Sequence, residues 1–300
     1  MMLRHYFKKD PYKKSDIKSR THRLHVIIFS KDRPCQLSSL LQSINDHITW
    51  PIASLHILFR SSSVDFERGY EIAHKENTVA YSQWRQEVSF RSDLLDLLSA
   101  IDSQDLLMFL VDDDIVFRNV NLGPVIDSFN SSHLFISLRV CPSYVPLQGW
   151  MPHFHRRDSL LEWEWKFHRR KSNAWNYPFS LDGNIYHADR ICEVISCLKF
   201  KAPNSLESAM HEYRKVRWVS NIRTGIASVP PCVVNNPLNR VQAEGETWHK
   251  NIDTAWINNR YLRGHRIDNA QLYTKTPNHT HCDLGLPWIN EFVLASERTD

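Results

Sequence analysis

Residues Leu106 to Phe117 put six apolar side chains directly before three carboxylates, Asp112, Asp113 and Asp114, and then add an apolar triplet. A run of that length and composition predicts a strand buried on both faces, as in the middle of a parallel sheet. In open α/β sheets, ligands bind beyond the carboxyl ends of such strands, which is where the triplet would stand. Adjacent carboxylates repel one another unless something positive sits among them. An all-oxygen cluster suits Mg²⁺ or Mn²⁺, with a substrate phosphate completing the shell. The competing reading is an acidic turn in which one Asp caps the next element.

The flanking sequence supports an α/β class. Leu24 to Phe29 predicts a strand, Ser30 to Pro34 a polar turn, and Leu37, Leu40, Leu41, Ile44 and Ile48 one apolar helix face. Leu55 to Phe59 predicts a second strand, ending in Arg60. This β-α-β order points to a Rossmann-like sheet, and the absence of a glycine fingerprint argues against a dinucleotide fold. Residues 64–86 read as a polar helix with Tyr70, Ala73 and Trp84 inward, and Glu87 to Phe90 as a short strand. Leu94, Leu95, Leu97, Leu98 and Ile101 mark a helix capped by Ser92 or Asp93. Leu134 to Leu138 reads as a strand ending at Arg139.

From Cys141 to Pro178, Trp and Phe residues alternate with His and Arg residues without a period. This stretch reads as a lobe over an active site, or as a stacking platform for glycan or single-stranded nucleic acid. Phe179 to Tyr186 reads as a turn then a strand, Ile191 to Leu198 as a helix, and Pro203 to about Lys215 as another. Ala227 to Val234 reads as a strand broken by Pro230-Pro231, and everything from Asn235 as an irregular tail.

Composition narrows the class. The chain has 300 residues, 42% hydrophobic and 23% charged, which is ordinary for a globular domain. No apolar run approaches the ~20 residues of a spanning helix, and no signal peptide is evident. The six cysteines are scattered without a CxxC pair, so reduced thiols and a cytoplasmic location are expected. Residues 1–23 carry eight Lys or Arg against Asp10 and Asp16, while the whole chain is only +4. This arm reads as a solvated terminus, with peripheral contact to anionic membrane as the alternative.

Several of these segments resemble one family, the nucleotide-sugar glycosyltransferases of the GT-A fold, and within it a bacterial group similar to the large inverting family two. The resemblance rests on Val26 to Pro34 with Leu37 and Leu40 to Ile44, on Phe109 to Asp114 as a DXD motif, and on Ser137-Leu138-Arg139. It rests also on Tyr177 to Gly183 and on Pro203 to Glu207. It covers about residues 24–290. It implies a GT-A, mixed but mainly parallel sheet flanked by helices, in one domain over 24–300. Within that domain it implies a nucleotide-binding half near 24–120, an acceptor half near 121–234 and a tail from 235. The chain departs from the common pattern at Arg60-Ser61-Ser62, where many members carry Asp or Asn.

The implied activity is transfer of a sugar from a nucleotide diphosphate donor, UDP-linked by expectation, to a glycan or small hydroxyl acceptor, with inversion. Such a transfer needs charge neutralised on the leaving diphosphate, which Mn²⁺ or Mg²⁺ supplies. Asp114 is the expected first ligand and Asp112 a second, or a ribose contact. Asp113 is a further candidate for holding the donor, although strand alternation would turn it to the other side. The resemblance adds a tail histidine to the metal, His281 or else His279. An acceptor base is also needed; the family motif puts it at Glu207, with Asp182 binding the acceptor. Glu207 has a structural rival role, because Asn204 to Glu207 has capping-box spacing. Ser30 and Arg33, Arg60 and Arg139 follow strands and are placed to hold the donor and its phosphates. Two rival classes remain: a sugar nucleotidyltransferase, against which the glycine-free Ser30 to Pro34 turn counts, and a non-catalytic glycan- or nucleic-acid-binding protein. Nucleic acid is not expected, given the Asp triplet.

Overall fold

The computed structural model describes residues 22–79, 81–144, 151–157, 159–165, 173–215, 219, 221–239 and 252–290. Most of the basic arm therefore lies outside the described residues, as do Trp150 and residues 166–172 of the aromatic-basic stretch.

The chain opens with β1 (Leu24–Lys31), α1 (Pro34–His47), β2 (Ile52–Arg60), α2 (Val64–Glu76), β3 (Ser82–Gln86), α3 (Phe90–Ser99) and β4 (Leu106–Val111). Pro34 sits in the first turn of α1, where its fixed φ suits the helix and no N–H is needed. Strands β3, β2, β1 and β4 lie side by side, all parallel. The polar helix expected over 64–86 stops at Glu76, and the strand expected at 87–90 is instead Ser82–Gln86. β3 is the sheet edge and none of its five residues is buried, so it shows no apolar run by which sequence could find it.

Then come β5 (Asp114–Val116), α4 (Gly123–Ser128), β6 (His133–Ser137), β7 (Phe154–Arg157), β8 (Leu160–Glu164) and β9 (Asn184–His187). They are succeeded by α5 (Ala188–Ser196), α6 (Pro203–Tyr213), β10 (Thr224–Ser228) and β11 (Val233–Asn235). The large sheet has nine strands in the order β3-β2-β1-β4-β9-β6-β10-β8-β7. β9 runs antiparallel to both neighbours, and β8 to both of its own. The sheet is thus mixed, with the other seven strands pointing one way, as expected.

Alternation along the central strands separates two cores. Leu24, Val26 and Ile28 of β1, with Leu106, Met108 and Leu110 of β4, pack with Leu37, Leu40, Leu41 and Ile44 of α1. Ile27, Phe29, Leu107 and Phe109 face the other way, toward Phe90, Leu94 and Leu98 of α3 and Ile191 and Val194 of α5. β4 is therefore buried on both faces, as its apolar run predicts.

Two expectations are corrected. Trp163, Trp165 and Trp175 are 1–3% exposed and belong to the second core, with the indoles of Trp163 and Trp165 donating to the carbonyls of Trp175 and Ile222. They are packing residues on and beside a β7–β8 hairpin that extends the sheet, not a stacking platform. The tail is not irregular either. It forms α7 (Thr254–Leu262), β12 (His265–Ile267), α8 (Asn269–Tyr273) and β13 (Trp288–Asn290). Ile257, Tyr261, Ile267 and Leu272 build a third core with Cys35 and Ala73. Short elements with few apolar residues each hide their periodicity until they share a core. The cysteines are all unpaired, and among the described residues no helix is long and apolar enough to cross a membrane.

Candidate active site

The site forms where β1 and β4 part. They pair in register up to Phe29 and Val111; α1 carries the chain from β1 to β2 on the far side, leaving a crevice at their carboxyl ends. Just past β1, Asp32 takes φ +55, a left-handed conformation uncommon outside glycine that aspartate and asparagine adopt more readily than other residues. It is held there because its N–H donates to the Arg60 carbonyl at 3.0 Å and its Oδ1 accepts from the Ser62 N–H at 2.6 Å.

That turn aims Arg33 back across the crevice. Its Nη1 donates to Asp112 Oδ1 at 2.9 Å and Asp113 Oδ2 at 2.8 Å, and its Nη2 to the Asn239 carbonyl. Burial opposes the Arg33 charge, and Asp113 and Asp112 more than offset it. The Lys31 N–H donates to Asp112 Oδ2 at 3.1 Å. Burial pushes Asp112 up to about 6 against the pull of Arg33. The Ser30 hydroxyl is shared with the Tyr70 hydroxyl at 2.7 Å, and Tyr70 also accepts from the Arg33 N–H.

The expected orientation of the triplet is corrected. β4 ends at Val111 and β5 begins at Asp114, so Asp112 and Asp113 occupy a turn where strand alternation does not apply. Asp113 faces the cavity. Asp114 is fully buried and does not line it. Its Oδ2 accepts from the Val111 N–H at 3.0 Å, and its Oδ1 accepts from Asn235 Nδ2, which also donates to Asp113. Burial, and then the nearby Asp182, hold Asp114 well above the carboxylate range.

The opposite wall comes from β6, β9 and α6. Arg139 lies just past β6 and donates to Ser180 Oγ at 3.2 Å and to Asp182. Asp182 stands on a turn closed by Gly183, whose φ is +75. Burial pushes Asp182 up, but Arg139 and His281 outweigh it and leave it at about 2. The tail delivers the histidines: Asn235 pairs with its backbone at Thr280 and Cys282. His281 Nε2 then lies 3.5 Å from Asp182 Oδ2 rather than on Asp114.

Glu207 is not the capping residue its spacing allows. The α6 N-cap is Ala202, and Ser205 Oγ accepts from the Lys201 and Ala202 N–H groups, each at 3.0 Å. With the cap satisfied by Ser205, Glu207 is free to turn to the cavity, where its Oε1 accepts from the Leu181 N–H at 3.1 Å. Burial, then Asp182, raise it to about 7. Tyr177 closes over it, its ring stacked on His211 at 4.5 Å.

One cavity of about 480 Å³ is lined by Ser30, Arg33, Arg60, Asp112, Asp113, Arg139, Asp182, Glu207, His279 and His281. Arg60 stands at its rim, its side chain 57% exposed and 3.4 Å from Glu87. Burial lowers His279. Sequence reasoning missed Asp32, Asn235 and Asn239; the only sign of the latter two is asparagine within and directly after the apolar stretch Cys232 to Leu238.

As a resident cage for a divalent ion the donor set falls short, because among the described residues no three His, Cys, Asp or Glu side chains converge. Yet Asp112, Asp113, Asp114, Asp182 and Glu207 outnumber the guanidiniums of Arg33 and Arg139, and Asp112 and Asp114 are raised first by burial and further by a neighbouring carboxylate. Such a set fits a hard ion that arrives with phosphate oxygens, the usual manner of Mg²⁺.

No family model matches the chain. Over 201 residues it is 24% identical to the bifunctional glycosyltransferase pgtA of Dictyostelium discoideum, a match covering 60% of this chain and 26% of that protein. The chain thus spans about a quarter of that relative's length. Among solved structures, S. aureus TarS 1-349 with UDP-GlcNAc aligns at TM-score 0.43 and 13% identity, over 75% of this chain and 60% of that one. A 4-diphosphocytidyl-2C-methyl-D-erythritol synthase from Anaerococcus prevotii aligns at TM-score 0.39 and 11% identity, over 81% and 97%. At such scores the structural likenesses do not decide the chemistry, which rests on the site itself.

Proposed function

We propose that the protein is a glycosyltransferase that moves a sugar from a nucleotide diphosphate donor, UDP-linked by preference, to a hydroxyl acceptor with inversion. The observation that carries this reading is one cavity holding two different devices. On the β1–β4 side are Arg33, Lys31, Asp112 and Asp113, suited to a diphosphate and its counter-charge. On the α6 side is a single carboxylate, Glu207, tuned to about 7, where a general base works best near neutral pH. The glycosyltransferase relative supports the same class.

In this reading the donor's diphosphate enters beside Arg33, and its sugar lies toward Asp182 and Arg139. Glu207 accepts the proton of the acceptor hydroxyl as that oxygen bonds to the sugar's anomeric carbon and the bond to the diphosphate breaks. Leu181 N–H and Tyr177 hold Glu207 in place. Asp182, kept ionised by Arg139, orients the acceptor and raises Glu207. Asp112 and Asp113, which line the cavity, with His281, would hold Mn²⁺ or Mg²⁺; when bound, the ion supplies Lewis-acid neutralisation of the leaving group.

The test is product formation from a panel of nucleotide sugars, with and without Mn²⁺, by wild type and Glu207→Gln. Sugar transfer by wild type, lost in the variant while nucleotide binding persists, is the expected result. Transfer of equal rate by Glu207→Gln would reject Glu207 as base, and binding without any transfer would favour a non-catalytic protein.

A further inference from the structure

Ile257, Asn258 and Tyr261 form the buried side of α7. At about 100° per residue, Trp256, Asn259, Arg260 and Arg263 fall together on its outer side. Trp256 is 46% exposed. The guanidinium carbon of Arg260 lies 5.2 Å from the centroid of the Trp256 ring and 4.9 Å from that of Trp288 on β13. The two indoles meet edge to face, 6.0 Å apart at 79°. Two aromatic rings thus fix one cation, and no anion neutralises it. Arg260 Nε is enclosed and unpartnered; its terminal nitrogens are not enclosed and make no hydrogen bond or ion pair among the described residues. The exposed side chain of Arg263 makes none either. Arg266, by contrast, is held by Glu76. Asp253, the only carboxylate from 253 to 263, caps the start of α7 and accepts from the Ala255 N–H at 2.9 Å. An immobilised guanidinium without a counter-charge, beside an exposed indole, suits a ligand that is both flat-faced and anionic.

We propose that the outer face of α7 docks an acidic polysaccharide, one whose sugars carry carboxylates, outside the cavity. A sugar ring lays its apolar C–H face on Trp256. Its carboxylate takes the parallel N–H groups at the end of Arg260, a planar fork that the two indoles have already oriented. Arg263, one turn further along, meets the next charge of the chain. A small anion would use the guanidinium and leave the indole unemployed; a neutral glycan would do the reverse. Only a charged glycan uses both. This rests on the transferase reading above and names its acceptor class. The acceptor is a polymer held in two places, its reacting hydroxyl at Glu207 and a remote segment on α7. The helix is tied to the cavity wall, since Asn258 and Pro34, the residue after Arg33, both lie against Gly69.

The experiment is surface plasmon resonance of the full chain on immobilised polygalacturonate and on dextran, with wild type, Trp256→Ala, Arg260→Gln and Arg263→Gln. Wild type is expected to bind polygalacturonate and not dextran. Trp256→Ala and Arg260→Gln should each weaken binding about tenfold, the effect of losing one anchor residue. Their affinity for UDP with Mn²⁺ should not change. If Arg260→Gln melts below wild type, Trp256→Ala and Arg263→Gln, both at exposed positions, carry the comparison. Equal binding to dextran overturns the proposal, because charge is then not read. Equal binding by wild type and all variants also overturns it, giving the polymer to other basic residues such as those of the arm over 1–23. Stronger competition by a single-stranded oligonucleotide, or by vesicles of anionic lipid, overturns it in favour of that partner. A wild type that binds the polymer as expected but no nucleoside diphosphate overturns the transferase reading and leaves the docking face standing.

Discussion

Glu207 combines two pH effects of opposite sign. Its proton leaves at about 7 in the folded protein, against an ordinary 4.5. The folded state therefore holds a proton that the unfolded chain has already released, and stability falls as pH rises from about 4.5 to 7. Glu207→Gln removes that dependence. It is expected to melt higher than wild type at pH 8, by roughly 1–3 kcal/mol of stability, and equally at pH 4; scanning calorimetry at the two pH values checks this. Activity runs the other way, because only the carboxylate takes a proton. Wild-type kcat/KM should rise with pH through about 7, and Glu207→Gln should lose about 10²- to 10⁴-fold at the plateau. Arg139 carries a different kind of risk. It is 5% exposed and is the main counter-charge of Asp182, so Arg139→Met leaves a buried carboxylate with only His281 beside it. A loss of about 3–5 kcal/mol is expected, and Arg139→Met combined with Asp182→Asn should recover part of it in urea titrations.

At the scale of elements, turns decide where the site residues point. Gly183 joins the Asp182 turn to β9 with φ +75, and a Cβ there would stand 3.0 Å from Val233 Cγ1. Gly183→Ala is expected to cost about 1–2 kcal/mol through the left-handed backbone alone, with added crowding. It should also weaken acceptor use more than nucleotide binding, since Asp182 moves and Arg33 does not. Steady-state kinetics with donor and acceptor varied separately would separate the two. The helix α6 shows how a local motif misleads. Asn204 to Glu207 has the spacing of a cap, but Pro203 already stands in the first turn and Ser205 serves Ala202. The starting point of the helix, set by packing of Leu206 and Met210 in the second core, turned a candidate capping glutamate into a candidate base. Likewise, Trp163, Trp165 and Trp175 looked like a ligand surface in a run rich in basic residues, and the sheet edge absorbed them as core.

For the whole molecule, the expected linkage is between nucleotide, ion and stability. UDP with Mn²⁺ at ~100-fold its dissociation constant should add about 2.7 kcal/mol, several degrees in melting temperature. Asp113→Ala should abolish the Mn²⁺-dependent part of that shift. A shift that ignores both the ion and Asp113 would count against the ion's role. Much of this molecule is legible in its order of residues. The double-faced burial of β4, the helix face of α1 and the β-α-β beginning come from periodicities of two and 3.6, because the same apolar side chains that make the pattern make the core. The Asp triplet at a strand end, Arg33, Asp182, Glu207 and the two tail histidines could all be named as candidates, and they line or adjoin one cavity. What only the tertiary structure decided is who faces whom. Arg33 meets Asp112 and Asp113 from 79 and 80 residues away, and the Asn239 carbonyl from 206; His281 reaches Asp182 rather than Asp114. Short-range periodicity records burial, which is a property of each residue. Pairing and pKa depend on distances between segments remote in the chain, and those exist only once the sheet has brought its strand ends together.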